Sequence, residues 1–150
     1  MKKRLLRVLS TVLAVPMIVG ALAAPASAAT KGYTVYVQTA NVDNAGTDSN
    51  IKIKILGANG SLGPTPLDNP GVNDFEQGAY EKFPTISSPD LGNLSSLILY
   101  SDGSGSKSGY LVDYVKVYAD GVHVGTFRPK ANEWLGEVAL TSDSITLVKL

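Results

Sequence analysis

A chain of 150 residues with no cysteine, one histidine and 13 basic residues against 13 acidic ones offers no thiolate nucleophile, no His-rich metal site and no pair of histidines for acid-base work. Its basic residues form no stripe able to displace counterions from a polyanion, which argues against nucleic acid as a partner. With no disulfide available, the core and any bound ions must hold the fold.

Lys2, Lys3, Arg4 and Arg7 precede an apolar run from Val8 to Ala24, and the small residues Ala26-Ser27-Ala28 follow it. This order predicts a secretory signal peptide over 1–28, cut after Ala28. A membrane anchor is the competing reading, disfavoured by Pro16 and Gly20 inside the run. Cleavage would leave residues 29–150 as one domain, with 13 minus 4, or 9, basic residues against 13 acidic and a net charge of −4. The expectation is a secreted, monomeric domain with no transmembrane segment after signal cleavage.

From Tyr33 onward, short alternating segments separated by turn residues recur, and no useful stretch has the period of an amphipathic helix. YTVYVQ (33–38) puts Tyr33, Val35 and Val37 on one face. NIKIKIL (50–56) puts Ile51, Ile53 and Ile55 on one face and Lys52 and Lys54 on the other. Further strands are predicted at 80–85, 94–100, 110–118, 122–128 and 144–150, with another at 134–141. Asp120-Gly121 is the strongest hairpin signal, because a type I′ turn needs positive φ at both central residues. His123, just beyond it, reads as a solvent-facing or hydrogen-bonded side chain. The fold class is all-β: a two-sheet antiparallel sandwich of about eight strands.

Two long connections interrupt this pattern, Thr39 to Ser49 and Gly57 to Ala79, and a third, 101–109, is Gly/Ser-rich and reads as flexible. The first two hold Asp43, Asp48, Asp68, Asp74 and Glu76 together with several asparagines. The basic residues between them are Lys52 and Lys54, whose strand positions are expected to turn them away. Loops emerging at one end would crowd carboxylate and amide oxygens, and calcium, which accepts six to eight oxygens, would relieve the repulsion. The same residues are also good turn formers, so composition leaves both readings open.

At these loops the chain resembles the PLAT family of β-sandwich modules. The likeness runs through YTVYVQT (33–39), AGTDSN (45–50), LDNPGVNDFEQGAYEKF (67–83), LGNLSSLILYSDGSG (91–105), YLVDYVKVY (110–118) and FRPKANEWL (127–135). The resemblance implies calcium ligands from Thr47, Asp48, Asn73 and Asp74, with Asp43, Asn69 and Gly71 as candidates for a second ion. It also implies a core anchor in Phe75, a backbone-shaping role for Gly78 and a packed Trp134. Ala40-Asn41 stand where members often carry Gly-Asp, and Val72 reads as an insertion. The implied function is calcium-assisted binding of membrane lipid or a protein partner through these loops. Val42, Leu62, Leu67 and Val72 are modest apolar candidates for contact with a membrane.

A carbohydrate- or wall-binding sandwich is the alternative, with Tyr36, Tyr100, Tyr110 and Tyr114 as the aromatics that would meet sugar rings. Catalysis is not expected. Ser104-x-x-Lys107 lies in a Gly/Ser loop rather than on a helix, and no Gly-x-Ser-x-Gly elbow accompanies His123.

Overall fold

The computed structural model describes residues 29–107, 109–136 and 143–150. The expected signal peptide and residues 137–141 of the expected strand at 134–141 lie outside them.

Among the described residues there are nine strands: β1 (Thr30–Thr39), β2 (Ile51–Gly57), β3 (Gly60–Pro66), β4 (Tyr80–Lys82), β5 (Ile86–Pro89), β6 (Leu94–Ser101), β7 (Val112–Ala119), β8 (Val122–Pro129) and β9 (Asp143–Lys149). All pair antiparallel in the order β3-β2-β6-β9-β8-β7-β1-β4, with β5 also on β1. The hydrogen-bonded path folds over at β9–β8, where a short ladder from Phe127↔Lys149 to Pro129↔Leu147 joins the β3-β2-β6-β9 leaf to the β8-β7-β1-β4 leaf.

The period-2 pattern explains the closure. Val35 and Val37 of β1, Ile53 and Ile55 of β2, Leu97 and Leu99 of β6, and Val115 and Val117 of β7 are almost fully excluded from solvent and form one cluster. The β7–β8 hairpin turns at Asp120 (φ 48°) and Gly121 (φ 81°), the two positive dihedrals a type I′ turn requires. His123 is exposed and shares a 3.1 Å hydrogen bond with Thr126 Oγ1.

The structure corrects three boundaries. The connection from Gly57 to Ala79 contains β3, an edge strand paired only with β2. An edge tolerates Pro64 and Pro66, which have no N–H to give, and that tolerance hides the strand from an alternation test. The segment 80–85 is a strand only through Lys82, with one further bond from the Phe83 N–H to the Val35 carbonyl; the chain then passes Pro84 and pairs again as β5 along the first residues of β1. Strand β7 starts at Val112, because Tyr110 turns inward and makes only an isolated bridge with Leu135.

Candidate functional site

Three loops meet at one end of the sandwich: 40–50 after β1, 67–79 before β4, and the segment after β6 that begins at Asp102. Together with the first residues of β2 they border an open cleft of about 460 Å³. Thr47, Asp48, Asn73 and Asp74, the four residues put forward for one ion, all line it. Asp68 and Asp102 bring two further carboxylates to the same walls.

The residues put forward for a second ion do not share this position. Asn69 stands behind Asp74, donating from its backbone N–H to Oδ2 at 2.7 Å and from Nδ2 to Oδ1 at 2.8 Å. Gly71, at φ 80°, shapes the turn in which the Val72 N–H donates to the Asn69 carbonyl. Asp43 is exposed on the 41–44 turn and does not border the cleft.

Phe75 joins the first two loops. Its ring is 3% exposed, stacked on Phe83 at 5.2 Å and edge-on to Tyr110 at 5.4 Å. Its carbonyl accepts the Thr47 N–H at 3.2 Å, and its own N–H donates to Glu81 Oε2 at 2.7 Å. Gly78, at φ 72°, lets the loop return beside Asn41, whose Oδ1 lies 3.1 Å from where a Cβ would stand.

The third loop, read from composition as a flexible linker, is docked on the first. Thr47 Oγ1 and the Asp48 N–H both donate to the Lys107 carbonyl, at 2.7 and 3.0 Å. Ser49 Oγ donates to the Ser104 carbonyl and Ser106 Oγ to Asp48 Oδ2, each at 2.6 Å. Gly105, at φ 82°, passes so close that a Cβ would lie 2.6 Å from that of Asp48. Hydrogen bonds from Ser104 and Asn50 hold the Asp102 carboxyl well below the usual carboxylate range. Asp102 is not among the acidic residues of the two long connections; its signal in the sequence is the Ser-Asp-Gly-Ser run, in which the Ser104 N–H bonds the Asp102 side chain two residues back.

Lys52 was expected to face away from the loops, yet it also lines the cleft. It is exposed at the second position of β2, where the strand begins at the cleft itself. Of the apolar loop candidates, Leu67 is buried and Leu62 packs on the core from β3, whereas Val42 and Val72 are 48% and 59% exposed. Trp134 is half-buried over Gly109. Tyr110 is fully buried with its hydroxyl 3.3 Å from Thr39 Oγ1, so it cannot stack on a sugar. Burial also pushes the Tyr110 phenol well above its usual range.

The donor set is one of oxygens: carboxylate, amide, hydroxyl and backbone carbonyl. That chemistry fits calcium rather than zinc or copper. Among the described residues no three His, Cys, Asp or Glu side chains lie together as a ready-made cage. An ion here would have to draw on amide and carbonyl oxygens beside Asp48 and Asp74, and would compete with the hydrogen bonds from Asn69 and Ser106.

Behind the cleft, Glu81 has its pKa raised, first by burial and then by the negative charge of Asp74, against the opposing hydrogen bond from Phe75. A carboxyl whose folded pKa exceeds its unfolded one favours the fold fully below the unfolded pKa and loses that contribution as pH rises through the folded value. Glu81→Gln keeps an oxygen for the Phe75 N–H and carries no charge. In chelator, its melting temperature relative to the parent should therefore be higher at pH 7 than at about pH 4. A difference that is constant across this range would contradict the assignment.

A family model described as PLAT/LH2 domain matches residues 33–147. Lipoxygenase homology domain-containing protein 1 of Mus musculus is 38% identical over 103 residues, covering 69% of this chain and 5% of that protein. PLAT domain-containing protein 1 of Arabidopsis thaliana is 34% identical over 116 residues, covering 69% of this chain and 62% of that protein. The crystal structure of a coral 8R-lipoxygenase, described as calcium-activated via a C2-like domain, matches with a TM-score of 0.65 at 29% identity over 81% of this chain and 17% of that one. The chain thus spans less than two-thirds of each of these proteins.

Proposed function

The chain belongs to the PLAT/LH2 domain family, and on that premise we propose that it is a secreted, non-catalytic binding module whose loop cleft takes up calcium and engages a lipid surface or a partner protein. The observation that carries this reading is the convergence of Thr47, Asp48, Asn73 and Asp74, with Asp68 and Asp102, on a single cleft at one end of the sandwich. The calcium-activated C2-like domain named for the coral lipoxygenase supports the choice of ion.

Asp48, Asp74 and Asn73 would hold the cation, with oxygens of Thr47 beside them. When bound, calcium supplies positive charge at an end of the molecule that otherwise repels anions. Lys52 contributes in the same direction before any ion arrives. The exposed Val42 and Val72 stand on the first two loops, where a surface drawn to the cleft would meet them. Two valines bury little area, so electrostatic attraction supplies most of the affinity for lipid.

Sedimentation with vesicles of phosphatidylserine and phosphatidylcholine tests this directly. Calcium should pellet the protein, and chelator or phosphatidylcholine alone should release it. Pelleting that is indifferent to chelator would remove the metal from the reading; failure to pellet with either lipid while calcium still raises the melting temperature would leave the protein partner.

A further inference from the structure

A second chemically distinct surface lies on the outside of the β8-β7-β1-β4 leaf, and none of its residues lines the loop cleft. Val35, Val37, Val115 and Val117 point into the core, so the residues between them point out. Lys116 of β7 sits directly opposite Tyr36 of β1, with Tyr114 and Tyr118 on either side of it along its own strand. Tyr80 of β4, 47% exposed, closes the group. Ring centres are 5.2 Å apart for Tyr36 and Tyr118, 5.7 Å for Tyr36 and Tyr80, and 6.1 Å for Tyr80 and Tyr114.

The Lys116 ammonium lies 5.3 Å from the Tyr114 ring centre and 5.9 Å from that of Tyr80, and the Arg128 guanidinium lies 5.6 Å from Tyr114. Such placement holds a cation by the ring faces while leaving its charge uncompensated. Among the described residues no carboxylate pairs with Lys116, and Arg128 has only a loose contact with exposed Asp113 at 3.7 Å. Lys82 adds a third cation, opposite Tyr36 on the β4 side. None of the four tyrosine hydroxyls has a hydrogen-bond partner among the described residues.

The ligand must therefore be anionic, offer faces for aromatic rings, and use hydroxyl donors and acceptors. A lipid surface suits this poorly: the face presents tyrosine, lysine and arginine, and among the described residues it has no Trp, Phe or Leu to enter the acyl boundary. Sugar rings have apolar C–H faces edged by hydroxyls, and uronate or sulfated sugars carry the charge that Lys and Arg recognise. We propose that this face is a second binding surface, independent of the loop cleft, for an acidic polysaccharide whose sugar rings lie on Tyr36, Tyr80 and Tyr114 and whose carboxylate or sulfate groups meet Lys116 and Arg128.

The test is affinity electrophoresis and calorimetry with polygalacturonate, in excess EDTA so that the loop cleft plays no part, with dextran as the neutral control. Retardation by polygalacturonate but not dextran is expected, weakening as salt is raised. Binding should fall roughly tenfold or more in Lys116→Gln with Arg128→Gln and be unchanged in Asp48→Asn with Asp74→Asn. Tyr80→Ala, on a short exposed edge strand, should weaken binding without lowering the melting temperature appreciably, which separates lost contact from lost fold. No retardation, or retardation equal in all variants, would overturn the proposal. So would face-dependent binding to phosphatidylserine vesicles or oligothymidylate in place of polygalacturonate.

Discussion

Phe75→Ala is expected to destabilise the domain by about 3–5 kcal/mol, lowering the melting temperature by roughly 10–20 °C for a domain of this size. Alanine leaves the space against Phe83 and Tyr110 unfilled. The packed ring also secures the positive φ of 64° at this position, an uncommon backbone state for a residue other than glycine, and the truncated side chain no longer does so. The effect reaches the cleft, because the Phe75 carbonyl and N–H fix the first loop at Thr47 and the second loop at Glu81. Where the variant remains folded, its half-saturating calcium concentration should rise by about tenfold. Phe75→Leu, which restores most of the volume, should recover much of the stability. Urea titration at low temperature, with and without calcium, separates the two effects. Equal stability of Phe75→Ala and the parent would show that the loop is not anchored by this ring.

If the cleft takes up calcium as proposed, the ion should raise the melting temperature, and Asp48→Asn together with Asp74→Asn should abolish that rise. At a concentration one hundred times the dissociation constant, a ligand that binds only the folded state adds about 2.7 kcal/mol, or roughly 10 °C here. Asparagine can still accept the hydrogen bond from Ser106 at position 48 and one of the two from Asn69 at position 74. The variant should therefore fold in chelator much as the parent does, and only the response to calcium should disappear. Differential scanning fluorimetry across a calcium series, with magnesium as the comparison, reads this directly. A full shift in the double variant would place the ion elsewhere.

What the sequence made legible was whatever a two-residue period or a short turn could encode. Tyr33, Val35 and Val37, and Ile51, Ile53 and Ile55, are buried as the alternation requires. Asp120-Gly121 turns as its dihedral demands specify. Strand β3 escaped because an edge strand with one partner can carry prolines and few apolar residues. The third loop looked idle because its docking is made largely by backbone carbonyls of Ser104 and Lys107, which composition does not reveal. Lys52 shows a further limit: alternation tells which face of a strand a residue occupies but not whether the end of that face borders a loop. The tyrosines around Lys116 come from β1, β4 and β7 and meet only through the pairing of those strands.

The placement of β9 governs the order in which this chain can become a closed object. It is inserted between β6 and β8, with Leu97 facing Leu147 on one side and Phe127 facing Lys149 on the other, although both neighbours precede it along the chain. A nascent polypeptide that has yet to deliver those residues exposes two unpaired strand borders, each a template for a neighbouring molecule. Closure is therefore a late, long-range event, and any agent that holds the chain extended until synthesis is complete protects it from self-association.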